Sequence, residues 1–258
     1  MEISKEDHED LVYAKGLLEN PGLVAKIVAV AGRPIEKSLA MLPENWMTIV
    51  HDASRKALEK ALDYAIRTLE RRSQFPAFVY HKSSVALSGG LAGAVGLAAL
   101  PFELPFSTVM MLRSIADIAR SEGEDIQNPE TKLAMLEVFA LGGGTQKDEA
   151  AETGYYAVRT SLAALVSDAT SHFTGRRIAG RGSPLLLRLL DSIASRFGIV
   201  VSQKAMATAV PVVGAASGAI INMIFLNHFQ DIARGHFIVR RLERKYGQEL
   251  IRSEYNDI

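Results

Sequence analysis

Between Trp46 and Arg71 the apolar residues Trp46, Ile49, Val50, Ala53, Ala57, Leu58, Ala61, Leu62, Ala65, Ile66 and Leu69 recur three or four apart. That period lines one face of an α-helix and predicts an amphipathic helix packed on a core. After Gly235 a second stripe, Ile238, Leu242, Tyr246 and Leu250, recurs every four residues, with Arg240, Arg241, Arg244 and Lys245 on the remaining surface. Such a basic amphipathic helix either packs its stripe on the core or lies on an anionic bilayer surface. No run of strict alternation is comparable, although Phe197 to Val201 is compatible with a short extended stretch, so the chain reads as all-α.

The punctuation agrees. Asn20-Pro21, Asn128-Pro129-Glu130 and Ser183-Pro184 each offer a capping side chain followed by proline at the first helical position, where its missing N–H is harmless. Thr145-Gln146-Lys147-Asp148 fits a capping box ahead of a helix running toward His172, and Gly142-Gly143-Gly144 separates that helix from the preceding one. Pro105 is expected to open the helix that follows it.

Two segments hold an excess of apolar character. Residues 83–112 carry no charged side chain except Glu103, between Pro101 and Pro105, and residues 205–230 carry no charge at all. Either run is long enough to cross a bilayer, which takes about 20 apolar residues per helix. Yet Gly89, Gly90, Gly93 and Gly96 in the first, and Gly214, Ser217 and Gly218 in the second, lower helix propensity and the gain on transfer to lipid. The four-residue spacing of small residues brings helix backbones close in a tight core as well as in lipid. Both segments run from glycines into a bulky turn, Val109-Met110-Met111-Leu112 or Met223-Ile224-Phe225-Leu226, and then into Asp-Ile-Ala-Arg at 117–120 and 231–234. This texture suggests a pseudo-repeat whose helices pair about a local twofold axis.

Composition sharpens the picture. A length of 258 residues suits one large helical domain spanning 1–258, and 29 basic against 29 acidic side chains argue against nucleic acid as a partner. The mean hydropathy, +0.10, is high for a protein with no membrane contact. The absence of cysteine removes disulfides, thiolate metal sites and a cysteine nucleophile, and fits a reducing compartment. Met1-Glu2-Ile3-Ser4-Lys5-Glu6-Asp7 lacks the pattern of a secretory signal, so a cytoplasmic location is expected, at the inner face of the cell membrane if the apolar segments act there.

Candidate chemistry is sparse. Glu103 stands alone among apolar residues, where an ionisable group is expensive unless paired, so it is either a functional acid or a carboxylate favoured by the N-terminus of the Pro105 helix. Asp117 and Asp231 each precede an arginine by three residues and are expected to form ion pairs, while Asn222 should tie neighbouring helices through its amide. His228 and Asp231 share a helical face and His236 lies further round, but no recognised ligand spacing supports a metal, and no cofactor motif is present. Ser217 sits in Gly-Ala-Ala-Ser-Gly, which is not a nucleophile elbow, and no phosphate loop ends in Gly-Lys-Ser/Thr. Arg176, Arg177 and Arg181 surround a glycine-rich loop before Ser183, with Arg188 beyond; it reads as a phosphate-holding loop or as a solvated linker.

Ser88-Gly89-Gly90 through Pro101-Phe102-Glu103-Leu104-Pro105, Arg113-Ser114-Ile115-Ala116 and Val210-Pro211-Val212-Val213-Gly214 through Asn222 carry a family resemblance. Together with Ala233-Arg234-Gly235-His236-Phe237, Arg241 to Gly247, Leu42-Pro43 and the Trp46 helix, they make nearly the whole chain resemble the EcsC protein family. The resemblance implies a bacterial, helical protein of a family named for a gene beside an ATP-binding-cassette exporter, with no settled biochemical activity. It departs at Glu103, where the family pattern has aspartate: the acid is kept, with one methylene more reach.

The expected role is a membrane-associated accessory or interaction protein whose partner is anionic membrane lipid or a membrane protein, with Arg176, Arg177, Arg181, Arg240, Arg241 and Arg244 as candidate contacts. The alternatives are a soluble helical protein binding a lipid or other hydrophobic ligand, and a hydrolase using Glu103 with a histidine such as His81.

Overall fold

The apolar stripe that starts at Trp46 becomes a helix from Trp46 to Thr68, and Val50, Ala53, Ala57, Leu58, Ala61, Leu62 and Ala65 are its buried side. The computed structural model describes residues 3–19, 23, 44–68, 100–143, 154–175, 184–208 and 215–258. Among them are eight helices and no strand: α1 Lys5–Leu18, α2 Trp46–Thr68, α3 Leu100–Ser121, α4 Pro129–Leu141, α5 Gly154–Gly175, α6 Pro184–Thr208, α7 Ala215–Tyr246 and α8 Gln248–Asp257. The stretch Phe197 to Val201 is helical, inside α6. The sequence features at Asn20-Pro21, His81, residues 83–99, Thr145 to Asp148 and Val210 to Gly214 lie outside the described residues.

The central element is α4. Asn128 caps it, its Oδ1 accepting from the Glu130 N–H at 2.9 Å, with Pro129 first in the helix. From Thr131 to Leu141 every residue is buried, which is why α4 shows no amphipathic period: a helix wrapped on all sides has no polar face to reveal one. Phe139 meets Phe197 of α6 and Phe229 of α7 at ring-centroid distances of 5.1 and 5.3 Å, and Phe225 joins Phe229 at 5.1 Å.

The α4 C-terminus needs partners for its last carbonyls. Arg196 Nε donates to the Ala140 carbonyl at 3.1 Å, and His228 Nε2 lies 2.8 Å from that of Gly142. Glycine makes this approach possible: a Cβ on Gly143 would fall 2.3 Å from the Arg196 carbonyl oxygen, which is backbone and cannot swing aside. Gly143→Ala is expected to lower unfolding free energy by about 1–3 kcal/mol through overpacking, read as a shift in the urea midpoint without change of slope.

Gly235 does not break the chain into separate helices. The apolar run from Ala215 and the basic stretch to Tyr246 are one helix of 32 residues, about 48 Å long at 1.5 Å per residue. A Cβ on Gly235 would meet Leu18 Cγ at 2.7 Å and the Ala14 carbonyl at 2.9 Å, so the glycine is where α1 crosses α7.

Helix directions follow from side-chain pairs. Glu103 with Asn222, Ser114 with Gln230 and Glu124 with Arg240 set α3 and α7 parallel. Lys204 against Glu103 places the end of α6 beside the start of α3, and Ser54 beside Gly198 with Tyr64 against Arg113, ten residues beyond Glu103 on α3, runs α2 antiparallel to α6. The starts of α2, α3 and α7 and the end of α6 therefore meet at one pole.

At the opposite pole the basic stripe of α7 is neutralised within the fold. Ile238 and Leu242 are buried, as the core-packing alternative for this helix required. Arg240 binds Glu124 at 2.8 Å, Arg241 binds Asp10 at 2.6 Å and Glu122 at 2.9 Å, Arg244 binds Glu124, and Lys245 binds Asp7 at 2.6 Å. The Lys245 and Tyr246 hydrogen bonds to Asp7 hold its carboxyl down to about 2.

Candidate functional site

The helix holding Glu103 begins at Leu100 and passes through Pro105, so Pro105 does not open it as the sequence suggested. Proline at that point removes the N–H that would bond the Pro101 carbonyl, a loss confined to the first turns of the helix. The hydroxyls of Ser107 and Thr108 both donate to the Leu104 carbonyl, at 3.1 and 2.7 Å. Glu103 thus lies in the first turn, where free N–H groups favour a carboxylate, but its oxygens turn inward.

There they meet Lys204. Its Nζ donates to both carboxylate oxygens at 3.0 and 2.9 Å, and Asn222 Nδ2 donates to Oε1 at 3.0 Å. Glu103 is 7 % exposed, Lys204 3 % and Asn222 1 %, so three helices contribute to one desolvated polar cluster. Burial pushes the Glu103 pKa up, but the Lys204 charge and the hydrogen bonds from Lys204 and Asn222 outweigh it and hold the carboxyl below its ordinary range. Lys204 Nζ also sits 4.9 Å from the Phe225 ring centroid, a cation–π contact in the same dry setting. A carboxylate kept ionised with both oxygens engaged is suited to fastening α3, α6 and α7 together; it lacks the free proton or raised pKa of a general acid.

Exposed apolar side chains stand on the same helix turns as this cluster. Phe102 is 83 % exposed and Phe106 48 %, one turn apart on α3, and Ile220 at the start of α7 is 48 % exposed. Met47, 61 % exposed at the start of α2, belongs to the same pole by the antiparallel run of α2 along α6. Among the described residues no helix is long and apolar enough to cross a membrane. The uncharged run 205–230 is shared between the end of α6 and the start of α7.

The remaining candidates are dispersed. Asp117 pairs with Arg120 at 3.0 Å and Asp231 with Arg234 at 3.3 Å, as their spacing required. His228 reaches the Gly142 carbonyl, whereas His236 is fully buried two turns further along α7 with its Nδ1 3.0 Å from the Tyr155 hydroxyl. No group of three or more metal-ligating side chains occurs among the described residues. Arg176, Arg177 and Arg181 lie outside them.

Two groups of residues were not singled out from sequence. Lys204 is one: it borders the uncharged run and is the lone cation of its own apolar neighbourhood, the complement of the isolated Glu103. The other surrounds His236. Arg159 forks onto Glu243 at 2.7 and 3.0 Å and onto the Tyr155 hydroxyl at 3.3 Å, while Tyr156 donates to Glu243 at 3.2 Å. Tyr255 of α8 lies 5.6 and 5.2 Å from the Tyr155 and Tyr156 rings, so this network docks the last helix. The adjacent Tyr155-Tyr156 with Arg159 one turn later was the available signal.

A helical protein with a neutralised ionic pole, an exposed apolar pole and a buried ion pair at the latter is the class defined by these features. The chain belongs to the EcsC protein family, whose model matches residues 21–242. No curated protein and no solved structure matches it.

Proposed function

We propose that this chain is an accessory protein that docks on a membrane surface by its apolar pole. The observation that supports the reading is the exposure of Phe102 and Phe106 one turn apart, with Ile220 and Met47 at the same pole. These side chains join stretches of sequence, 83–99 and 205–230, that carry no charge. Aromatic and aliphatic side chains at a protein end favour the headgroup–acyl boundary, where each buried Phe contributes roughly 1.5–3 kcal/mol.

The contact is apolar in character. Arg240, Arg241 and Arg244, which the sequence offered as lipid contacts, are held by Glu124, Glu122 and Asp10 and have little charge left for headgroups. Flotation with vesicles of neutral lipid should therefore survive high salt, which shortens the screening length below its physiological value of about 8 Å. The double substitution F102E/F106E is expected to reduce vesicle partitioning by at least roughly 100-fold while leaving the far-UV spectrum unchanged. Binding that needs anionic lipid, disappears in salt and is lost on changing Arg176, Arg177 and Arg181 to glutamate would transfer the contact to the arginine loop. Undiminished partitioning of F102E/F106E in neutral vesicles would overturn the reading.

A further inference from the structure

Between α4, α5 and α7 lies a carboxyl group that the ion-pair network passes over. Glu137 is 6 % exposed and has no hydrogen-bond or ion-pair partner among the described residues. The two guanidinium groups nearest in electrostatic effect are clamped elsewhere. Arg159 is forked on Glu243, and Arg240 binds Glu124 at 2.8 Å and Glu130 at 3.4 Å. Nearby, His236 Nε2 is also buried without a partner. The Tyr155 hydroxyl, which accepts from Arg159 at 3.3 Å, lies 3.0 Å from His236 Nδ1 and so engages the other ring nitrogen.

The groups around Glu137 come from every neighbouring element. Its own helix carries Glu130, α5 brings Tyr155 and Arg159, and α7 brings Arg240 and Glu243, with Arg240 bonded in turn to Glu124 after α3. Arg196 of α6 is turned to the Ala140 carbonyl; Arg113 of α3 stacks on Tyr64 of α2 at 5.6 Å; Arg55 of α2 pairs with Glu59 and Asp191.

We propose that Glu137 is a proton-binding site inside the helical core, filled in the stable fold, and that loss of its proton draws Arg159 and Arg240 away from Glu243 and Glu124. An unpaired carboxylate in such surroundings is heavily penalised, so the group either keeps its proton or takes a cation from a neighbour. Burial pushes its pKa up to about 7 against the lowering influence of Arg159 and Arg240, which puts the exchange near neutrality. The two clamps join α7 to α5 and to the α3–α4 turn, so deprotonation loosens α5 and the Tyr255 contact of α8. The inference is independent of membrane docking.

The pH dependence has two opposing parts. Glu137 holds a proton in the fold that the unfolded chain releases above 4.5, so its contribution to stability declines as pH rises from 4.5 to about 7. His236 is held well below its ordinary 6.5 by burial and by Arg159 and Arg240, so the unfolded chain alone takes its proton, and stability rises with pH up to 6.5. In the unmodified protein the two slopes oppose each other.

Glu137→Gln removes one of them. Its folding equilibrium constant relative to the unmodified protein should increase roughly 70-fold between pH 5 and pH 8, read from urea unfolding at each pH. A ratio that stays the same at both pH values overturns the proposal. If the variant does not fold, infrared spectra of the unmodified protein serve: a protonated carboxyl band at pH 5.5 must vanish with a midpoint near 7, and its absence at pH 5.5 overturns the proposal equally.

Discussion

Lys204→Met is expected to lower the unfolding free energy by about 3–5 kcal/mol at pH 7, because it removes the charge partner of a carboxylate that has no water to turn to. Asn222 would remain as a donor to Glu103 Oε1, and one neutral amide replaces an ammonium poorly. The pH dependence identifies the cause. In the unmodified protein the Glu103 pKa is lowered, so its contribution is present above the unfolded value of 4.5 and is lost as pH falls through the folded value. Without Lys204, desolvation dominates and the folded pKa rises, so the contribution of Glu103 becomes destabilising as pH climbs past 4.5. The difference between variant and unmodified protein should therefore shrink toward acid pH. The double variant Glu103→Gln, Lys204→Met should recover most of the loss, since two neutral groups of similar volume replace a desolvated pair. Urea unfolding at pH 4 and pH 7 measures all of this; a loss under about 1 kcal/mol with no pH trend, the scale of an exposed pair, would mean that Glu103 and Lys204 are hydrated.

Arg159→Met is the second large effect, about 3 kcal/mol or more. The guanidinium is 15 % exposed and Glu243 11 % exposed, and the two oxygens of Glu243 are bonded by the two ends of one planar fork. Arg159→Lys should restore less than half the loss, because an ammonium cannot present two parallel N–H bonds while also donating to the Tyr155 hydroxyl. The damage should be local: amide exchange in the first turns of α5 and in α8 is expected to accelerate, since Tyr155 and Tyr156 hold Tyr255 there. Loss of Arg159 also removes the strongest charge lowering the Glu137 pKa, so Glu137 should hold its proton to higher pH in this variant. A double-mutant cycle with Glu243→Gln gives the coupling directly, and additivity within about 0.5 kcal/mol, the ordinary scatter of independent sites, would exclude the fork as the cause.

Much of the fold can be read along the chain because helices declare themselves locally. The Trp46 stripe, the Asn128-Pro129 cap and the stripe from Ile238 to Tyr246 each follow from contacts within a few residues and appear where the pattern places them, although Gly247 ends α7 and leaves Leu250, the last of that stripe, in α8. The burial of Asn222 follows as well, since an amide among apolar residues must find partners or be penalised, whereas Glu103 reads equally as a carboxylate at a helix N-terminus. The Asp117–Arg120 and Asp231–Arg234 pairs are equally local.

What the chain does not state is who meets whom at long separation. Lys204 bonds Glu103 across 101 positions, and Arg159 bonds Glu243 across 84, so no periodicity connects them. The basic face of α7 is the clearest case. Its sequence is equally compatible with a lipid surface and with a folded core, and only the arrival of α1 and the α3–α4 turn, bringing Asp7, Asp10, Glu122 and Glu124, neutralises it. Gly143 lies in the turn that ends α4 and Gly235 lies inside α7, and both are also sites of close approach, because the absence of a Cβ matters only to the neighbour that fills the space. Helix positions, caps and the need for buried partners were determined by the amino-acid sequence itself, through interactions within a turn or two. The partners, the two poles and the desolvated position of Glu137 were decided by tertiary packing, where burial and long-range charge act together.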